Sequence, residues 1–186
     1  LLEELISLSP KLHLEVNDFY AQVDERNKYG VERIPAVVMG DEGEARIKYY
    51  GSPLGYEFVT ILEDIKLLSR AVSPLNLQSR KWLRKVNQRV HIQVFVTPTC
   101  QYCPSVATMA HAICLENPLI NADVIEVSEF QNLARIYNVT SVPKTVINEV
   151  IQFTGALQED QFVERVLRVG MREGDDTNNL KAGDKK

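Results

Sequence analysis

The amino-acid sequence predicts an α/β protein built of two tandem units. Each unit is a mixed β-sheet flanked by helices, and the first is truncated at its N-terminus. Three observations predict this. The chain contains an internal repeat. Its strand and helix patterns alternate in an order that requires helical crossovers first and an antiparallel hairpin afterwards. Its 186 residues suffice for two small units as well as for one large domain.

The repeat is read by alignment of the chain with itself. "KYGVERIPAVVMG" (Lys28 to Gly40) matches "IYNVTSVPKTVIN" (Ile136 to Asn148), with Tyr29, Val31 and Pro35 falling on Tyr137, Val139 and Pro143 at an offset of 108. Upstream, "LEV" ending at Val16 matches "IEV" ending at Val127 at an offset of 111. Downstream, Gly51, Phe58 and Val59 match Gly155, Phe162 and Val163 at an offset of 104. Three blocks in one order, drifting slightly as loop insertions would make them, mark a repeat.

The first unit, residues 1–74, reads as a helix from Leu1 to Leu8, a strand from Leu12 to Val16, a second helix, two strands ending at Tyr50 and a helix from Tyr56 to about Ala71. At an offset of 111, Leu1 corresponds to Ala112, so roughly 20 residues holding one strand and half a helix are expected ahead of it. "SPLNLQ" (Ser73 to Gln78) reads as the linker.

The second unit, residues 75–175, opens with a helix from Gln78 to Asn87. "HIQVFVT" is a buried strand by its β-branched and aromatic content. A helical apolar pattern runs from Ser105 to Leu115 and stops at Asn117-Pro118. "ADVIEV" is the next strand, Glu129 to Tyr137 a short helix, and "KTVIN" with "VIQFTG" a strand pair. A helix from Glu159 to about Met171 closes the unit, with Phe162, Val163, Val166 and Leu167 on its apolar face. Residues 176–186 are polar and are expected to be a disordered tail.

Composition excludes several function classes. A net charge of −4 gives no basic footprint for nucleic acid or an anionic membrane. No apolar run approaches the roughly 20 residues that span a bilayer. Three cysteines are too few for a disulfide scaffold, and the odd number leaves at least one thiol unpaired. The chain opens Leu1-Leu2 without a Met, shows no signal peptide, and is expected in a reduced, cytoplasmic setting.

The chemistry is concentrated in "VFVTPTCQYCPSVATMAHAICL" (Val94 to Leu115). Cys100 and Cys103 sit where a strand hands over to a helix. A helix N-terminus carries unpaired N–H groups and partial positive charge, both of which stabilise a thiolate. Cys100 has those groups nearest and is the expected nucleophile toward a disulfide. Cys103 comes within disulfide reach in the first helical turn and resolves the mixed intermediate. Pro104 is tolerated there because first-turn donors have no helical partner anyway. Gln101 and Tyr102, between the sulfurs, are expected to tune the couple.

Competing readings of the pair are weaker. A zinc site wants four ligands, and only Cys114, His91 and His111 remain in this unit, none at ligand spacing. Cys114 lies three helical turns beyond Cys103 among apolar neighbours and reads as a buried, inert thiol. Pro143 opens the strand expected beside the cysteine strand, where a cis Val142–Pro143 bond would present backbone groups to an extended substrate. Glu126 ends the strand parallel to the cysteine strand, at the same sheet edge as Cys100. It is either a proton acceptor for Cys103 or a solvated strand end.

With strand, "CQYC", helix and then "VP" before the hairpin, the second unit resembles a thioredoxin-fold protein. The whole chain then resembles two tandem thioredoxin-like folds. The resemblance implies a thiol–disulfide oxidoreductase acting on protein disulfides, with no cofactor beyond the redox-active Cys100–Cys103 disulfide. It implies Cys100 and Cys103 as catalytic, and Thr99, Gln101, Tyr102, Val142 and Pro143 as substrate-binding. "CQYC" is closer to the glutaredoxin pattern than to the Cys-Gly-Pro-Cys of thioredoxin. Thioredoxin places a buried acid six residues before its first cysteine, where this chain has Val94, which raises the interest in Glu126.

Two tandem families are similar to the chain from end to end. One is the glutaredoxin-like protein disulfide oxidoreductase of archaea and thermophilic bacteria, similar through "KYGVERIP", "GSPLGYEF", "VFVTPTCQYCPS" and "VPKTVIN". The second choice is the N-terminal domain of the alkyl hydroperoxide reductase flavoprotein, which shares the "GSPLGxEF"-like stretch and one Cys-x-x-C-Pro. The partners so implied are disulfide-containing proteins and a thioredoxin-reductase-like flavoprotein or a peroxiredoxin. The alternative function is an electron-relay module between such a flavoprotein and a peroxiredoxin.

Overall fold

The computed structural model describes residues 1–40, 45–70 and 73–172. They fall into two compact units, Leu1–Ile34 and the residues from Pro35 onward. The expected tail at 176–186 and the expected helix end at Ala71 lie outside the described residues.

The smaller unit holds two short helices, α1 (Leu2–Ile6) and α2 (Val23–Lys28). Between them Asp18 organises a turn, its Oδ1 accepting the N–H groups of Tyr20 and Ala21 at 2.8 Å each. The strand expected at Leu12–Val16 does not form. Its sequence has strand character, but an extended segment becomes a strand only when a neighbour takes up its N–H and C=O groups. The equivalent strand of the second unit has a partner on each side.

From Pro35 onward the chain builds one six-stranded sheet flanked by helices. Its strands are β1 (Ala36–Met39), β2 (Ile47–Tyr50), β3 (Val90–Val96), β4 (Ile120–Glu126), β5 (Lys144–Ile147) and β6 (Ile151–Thr154). Their order across the sheet is β1-β2-β4-β3-β5-β6. The inner run β2, β4, β3 is parallel, and β1, β5 and β6 pair antiparallel at its two sides. The inner strands are buried on both faces, as in parallel sheets covered on both sides, apart from the half-buried His91 and exposed Asn121 near their N-terminal ends, whereas β6 alternates between half-buried and exposed.

The sheet is continuous across the boundary expected between residues 74 and 75. Strand β2 joins β4 in the register Ile47↔Ala122 to Tyr50↔Ile125. Arg46 fastens the same junction, its Nη1 donating to the carbonyls of Cys114 (2.7 Å), Asn117 (2.6 Å) and Ile120 (3.3 Å).

Among the described residues five helices follow the smaller unit: α3 (Glu57–Arg70), α4 (Leu77–Leu83), α5 (Cys103–Leu115), α6 (Gln131–Ile136) and α7 (Glu159–Gly170). Helix α4 is capped by Asn76, whose side chain accepts the Ser79 N–H at 2.9 Å. Helix α5 starts two residues before the expected Ser105, because Pro104 fits a first turn whose donors need no helical partner. It packs on β3 and β4 and along α3, while α7 packs on α4, β3 and β5. No helix among the described residues is long and apolar enough to cross a membrane.

Candidate active site

Strand β3 ends at Val96, and the next four residues, Thr97 to Cys100, turn the chain toward α5. The Cys100 N–H donates to the Thr97 carbonyl at 3.1 Å. Cys100 and Cys103 are joined in a disulfide with their Cα atoms 5.5 Å apart. The two sulfurs differ in environment. Cys103 is fully buried, whereas Cys100 is half-buried between exposed Thr99 and exposed Gln101 and Tyr102. The Cys103 N–H, at the start of α5, donates to Cys100 Sγ at 3.2 Å. A thiolate on Cys100 would therefore be both accessible and hydrogen-bonded by the helix start.

Strand β5 brings the second element of the site. Lys144 stands opposite Phe95 in the β3–β5 ladder, so Val142 and Pro143 continue that register alongside the end of β3. The Val142–Pro143 peptide is cis, Pro143 is buried and Val142 is half-buried. The Pro143 carbonyl accepts the Gly155 N–H at 2.8 Å.

Glu126 stands opposite Val96 at the end of β4, 1% exposed. Both of its carboxylate oxygens are engaged by backbone N–H groups, Oε1 by Ser128 at 3.0 Å and Oε2 by Glu129 at 2.8 Å. It folds the chain from β4 toward α6.

A second buried carboxyl, Glu57, was not singled out by the sequence. It lies in the first turn of α3 with no solvent exposure, one oxygen accepting the Thr60 hydroxyl at 3.2 Å and the other without a protein partner. Burial, and then the negative charges of Asp64 and Glu126, push it up to about 8 against the pull of the Thr60 hydroxyl. Burial, followed by the charges of Glu57, Glu126 and Glu129, also raises the neighbouring Tyr49 phenol. The site thus keeps a carboxyl that holds its proton near neutrality.

Two contacts set the height of Glu57. The Tyr56 N–H donates to the Pro98 carbonyl at 2.9 Å, which fixes the start of α3 to the loop that carries Cys100. Further along, His111 Nδ1 lies 2.8 Å from Asp64 Oδ2. Asp64 follows Glu57 by seven residues and His111 follows Cys103 by eight. The start of α3 is tied to the loop that opens α5, and the Asp64–His111 contact further along both helices makes them run the same way. At about 1.5 Å per residue, Glu57 and Cys103 are therefore nearly level across the α3–α5 seam. One signal was present in the sequence: Glu57 and Asp64 share the helical stripe of Ile61 and Leu67, where charges are out of place.

A cavity of about 590 Å³ borders the cysteine loop, lined by Tyr56, Val59, Gln101, Pro104, Thr108 and Met109 among others. Among the described residues no three His, Cys, Asp or Glu side chains are grouped as metal ligands.

A mixed sheet, a disulfide-bonded Cys-x-x-C at a strand-to-helix junction and a proline opening the neighbouring antiparallel strand define a thioredoxin-fold domain. Residues 90–168 match the family model of the thioredoxin domain. More particularly, the structure is similar to the N-terminal domain of alkyl hydroperoxide reductase from Enterococcus faecalis, at 27% identity and a TM-score of 0.83, over 89% of this chain and 80% of that one. It is also similar to a protein disulfide oxidoreductase from Aeropyrum pernix, at 31% identity and a TM-score of 0.77, over 82% of this chain and 66% of that one. Both families that the sequence resembles are therefore represented. Among curated proteins, an alkyl hydroperoxide reductase of Staphylococcus aureus is 25% identical over 149 residues. That alignment covers 80% of this chain and 27% of the relative, so the chain spans about a quarter of that protein.

Proposed function

We propose that the chain is a thiol–disulfide oxidoreductase that exchanges electrons with protein disulfides through Cys100 and Cys103. The carrying observation is the asymmetry of the sulfurs: Cys100 is accessible and faces the helix start, and Cys103 is fully buried behind it. In the reducing direction the Cys100 thiolate attacks a substrate disulfide. A bond forms between Cys100 and one substrate sulfur, and the other substrate sulfur leaves as a thiolate and takes up a proton. Cys103 then gives its proton to the Glu57 carboxylate and attacks Cys100 Sγ. The Cys100–Cys103 disulfide re-forms, the first substrate sulfur is released, and two electrons have passed to the substrate. The cysteine pair is itself the redox group, so the exchange needs no bound cofactor.

Glu57 suits the proton step. A thiol has an ordinary pKa near 8.5, so a carboxyl pushed up to about 8 is closely matched to it. Glu126, with both oxygens held by the backbone, is assigned the supporting role of keeping Glu57's proton affinity high. Thr99, Gln101 and Tyr102, all exposed, are assigned to meet the substrate, together with Val142 and Pro143 alongside the end of β3.

The decisive experiment is reduction of a protein disulfide by the dithiol form. Cys100→Ser is expected to abolish turnover and Cys103→Ser to trap a covalent mixed disulfide. Full activity in both variants would overturn the assignment. A second reading is electron relay from a flavoprotein reductase to a peroxiredoxin in the cytoplasm, favoured by the likeness to the Enterococcus faecalis reductase domain. It requires that the chain stimulate a peroxiredoxin in the presence of such a reductase while turning over generic disulfides negligibly.

A further inference from the structure

The seam between α3 and α5 holds a buried polar pair that the exchange reaction leaves unused. Asp64 and His111 both have no solvent exposure, and their 2.8 Å contact lies one heptad beyond Glu57 on α3. Asp64 Oδ1, His111 Nε2 and Glu57 Oε1 are all buried without a protein partner. As a means of holding two helices together this arrangement is poor, since an apolar pair of similar volume does so at no desolvation cost. On α5, Cys103, Ala107 and His111 follow one another at four-residue spacing on one buried face, which meets α3 where His111 touches Asp64.

We propose that Asp64 and His111 are positioning residues that set the proton affinity of Glu57, and with it the pH range over which Cys103 completes the exchange. This rests on Glu57 as the proton carrier of the reaction. The physical link is Coulombic. A charge on Asp64 opposes a charge on Glu57 through the protein interior, and the contact with His111 holds Asp64 in place on the α3–α5 seam. Asp64 precedes Glu126 among the negative charges that keep Glu57 protonated. The other groups that act on or feel Glu57 are the Thr60 donor on α3, the Tyr49 phenol on β2 and Glu126 at the end of β4, and the facing helix α5 brings the buried Cys103 nearly level with it. Asp64 differs from Glu126 in being hydrogen-bonded to a side chain on the facing helix, His111, which fixes where its charge stands.

The test follows the second step, release of substrate from the Cys100 mixed disulfide, between about pH 6 and 10 in the full chain. The unmodified protein is expected to show an inflection near 8 that Glu57→Gln removes. Asp64→Asn keeps an oxygen to accept from His111 but removes the charge. It is expected to move the inflection down by about one pH unit, the size of a like-charge interaction across about 10 Å of protein. In the Glu57→Gln background it should move nothing. Should Asp64→Asn fail to fold, the apolar replacement Asp64→Val with His111→Leu removes the same charge and keeps the helices packed, and the same downward shift is expected. A purely structural pair would lower the melting temperature and leave the inflection in place, and that result overturns the inference alone. If Glu57→Gln retains the inflection, Glu57 is not the proton carrier and both readings fall.

Discussion

Glu57 gives the residue scale its sharpest prediction, because its proton affinity is a stability term as well as a chemical one. In the folded protein the carboxyl is pushed up to about 8 from an ordinary value of 4.5. Between those values the native state keeps a proton that the unfolded chain releases, so stability falls as pH rises from about 4.5 to about 8 and levels off above. Glu57→Gln removes that dependence. It should therefore be more stable than the parent by up to about 5 kcal/mol at pH 9 and no more stable near pH 4. Urea unfolding at both values checks this, and an equal difference at the two would refute it. The cysteines make a second prediction. Cys114 is buried, its thiol donates to the Ile120 carbonyl at 3.1 Å, and burial pushes it up to about 11. Brief iodoacetamide treatment of the reduced native chain should label Cys100 at least about tenfold faster than Cys103 or Cys114, as read by peptide mass spectrometry. Comparable labelling of Cys114 would show the burial to be wrong. The pairing of Cys100 with Cys103 and the burial of Cys114 were legible because local spacing and helix position determine them. The burial of Glu57 was not, because it exists only once α3 is laid against the rest of the fold.

At the scale of elements, the repeat predicts a backbone equivalence that packing then breaks. Gly51 and Gly155 occupy matching positions after the second strand of each hairpin, and both have left-handed backbone, with φ of +112° and +93°. A Cβ on Gly155 would meet nothing within 4 Å, whereas one on Gly51 would come 2.6 Å from the Glu126 Cβ. Gly155→Ala should cost about 1 kcal/mol, the strain of a side chain at positive φ. Gly51→Ala should cost at least about 2 kcal/mol and disturb Glu126 as well. Equal losses in denaturant unfolding would mean that the junction at Gly51 is loose. Strand Leu12–Val16 shows where element-scale reading fails. Alternation and β-branching describe a segment's fitness for a sheet, but a strand exists only with a neighbour, and none is written into the segment itself.

At the scale of the whole molecule, the repeated sequence suggests two units side by side, yet the site draws on both halves of the repeat. Strand β2 completes the parallel run beside β4, Arg46 holds the end of α5, and α3 contributes the buried Glu57, the proton acceptor proposed for Cys103. The sequence carried a hint in "IKYY" (Ile47 to Tyr50), which is buried along its whole length as a strand inside a sheet must be. Which strand it would join was illegible, since a parallel contact between residues some 75 positions apart leaves no local pattern. The consequence is testable with residues 75–172 expressed alone. That piece keeps both cysteines, Pro143 and Glu126 but exposes the edge of β4 and the α3-facing side of α5. It should melt at least about 10 °C below the full chain, because losing one sheet ladder and the Arg46 anchor removes several kcal/mol. It should still form the Cys100–Cys103 disulfide, since the strand-to-helix junction is local to it. Its second exchange step should be slow and lack the inflection near 8, matching Glu57→Gln in the full chain. A stable fragment with the parent's rate and pH profile would mean that the second half carries the whole chemistry, and that β1, β2 and α3 only cover it.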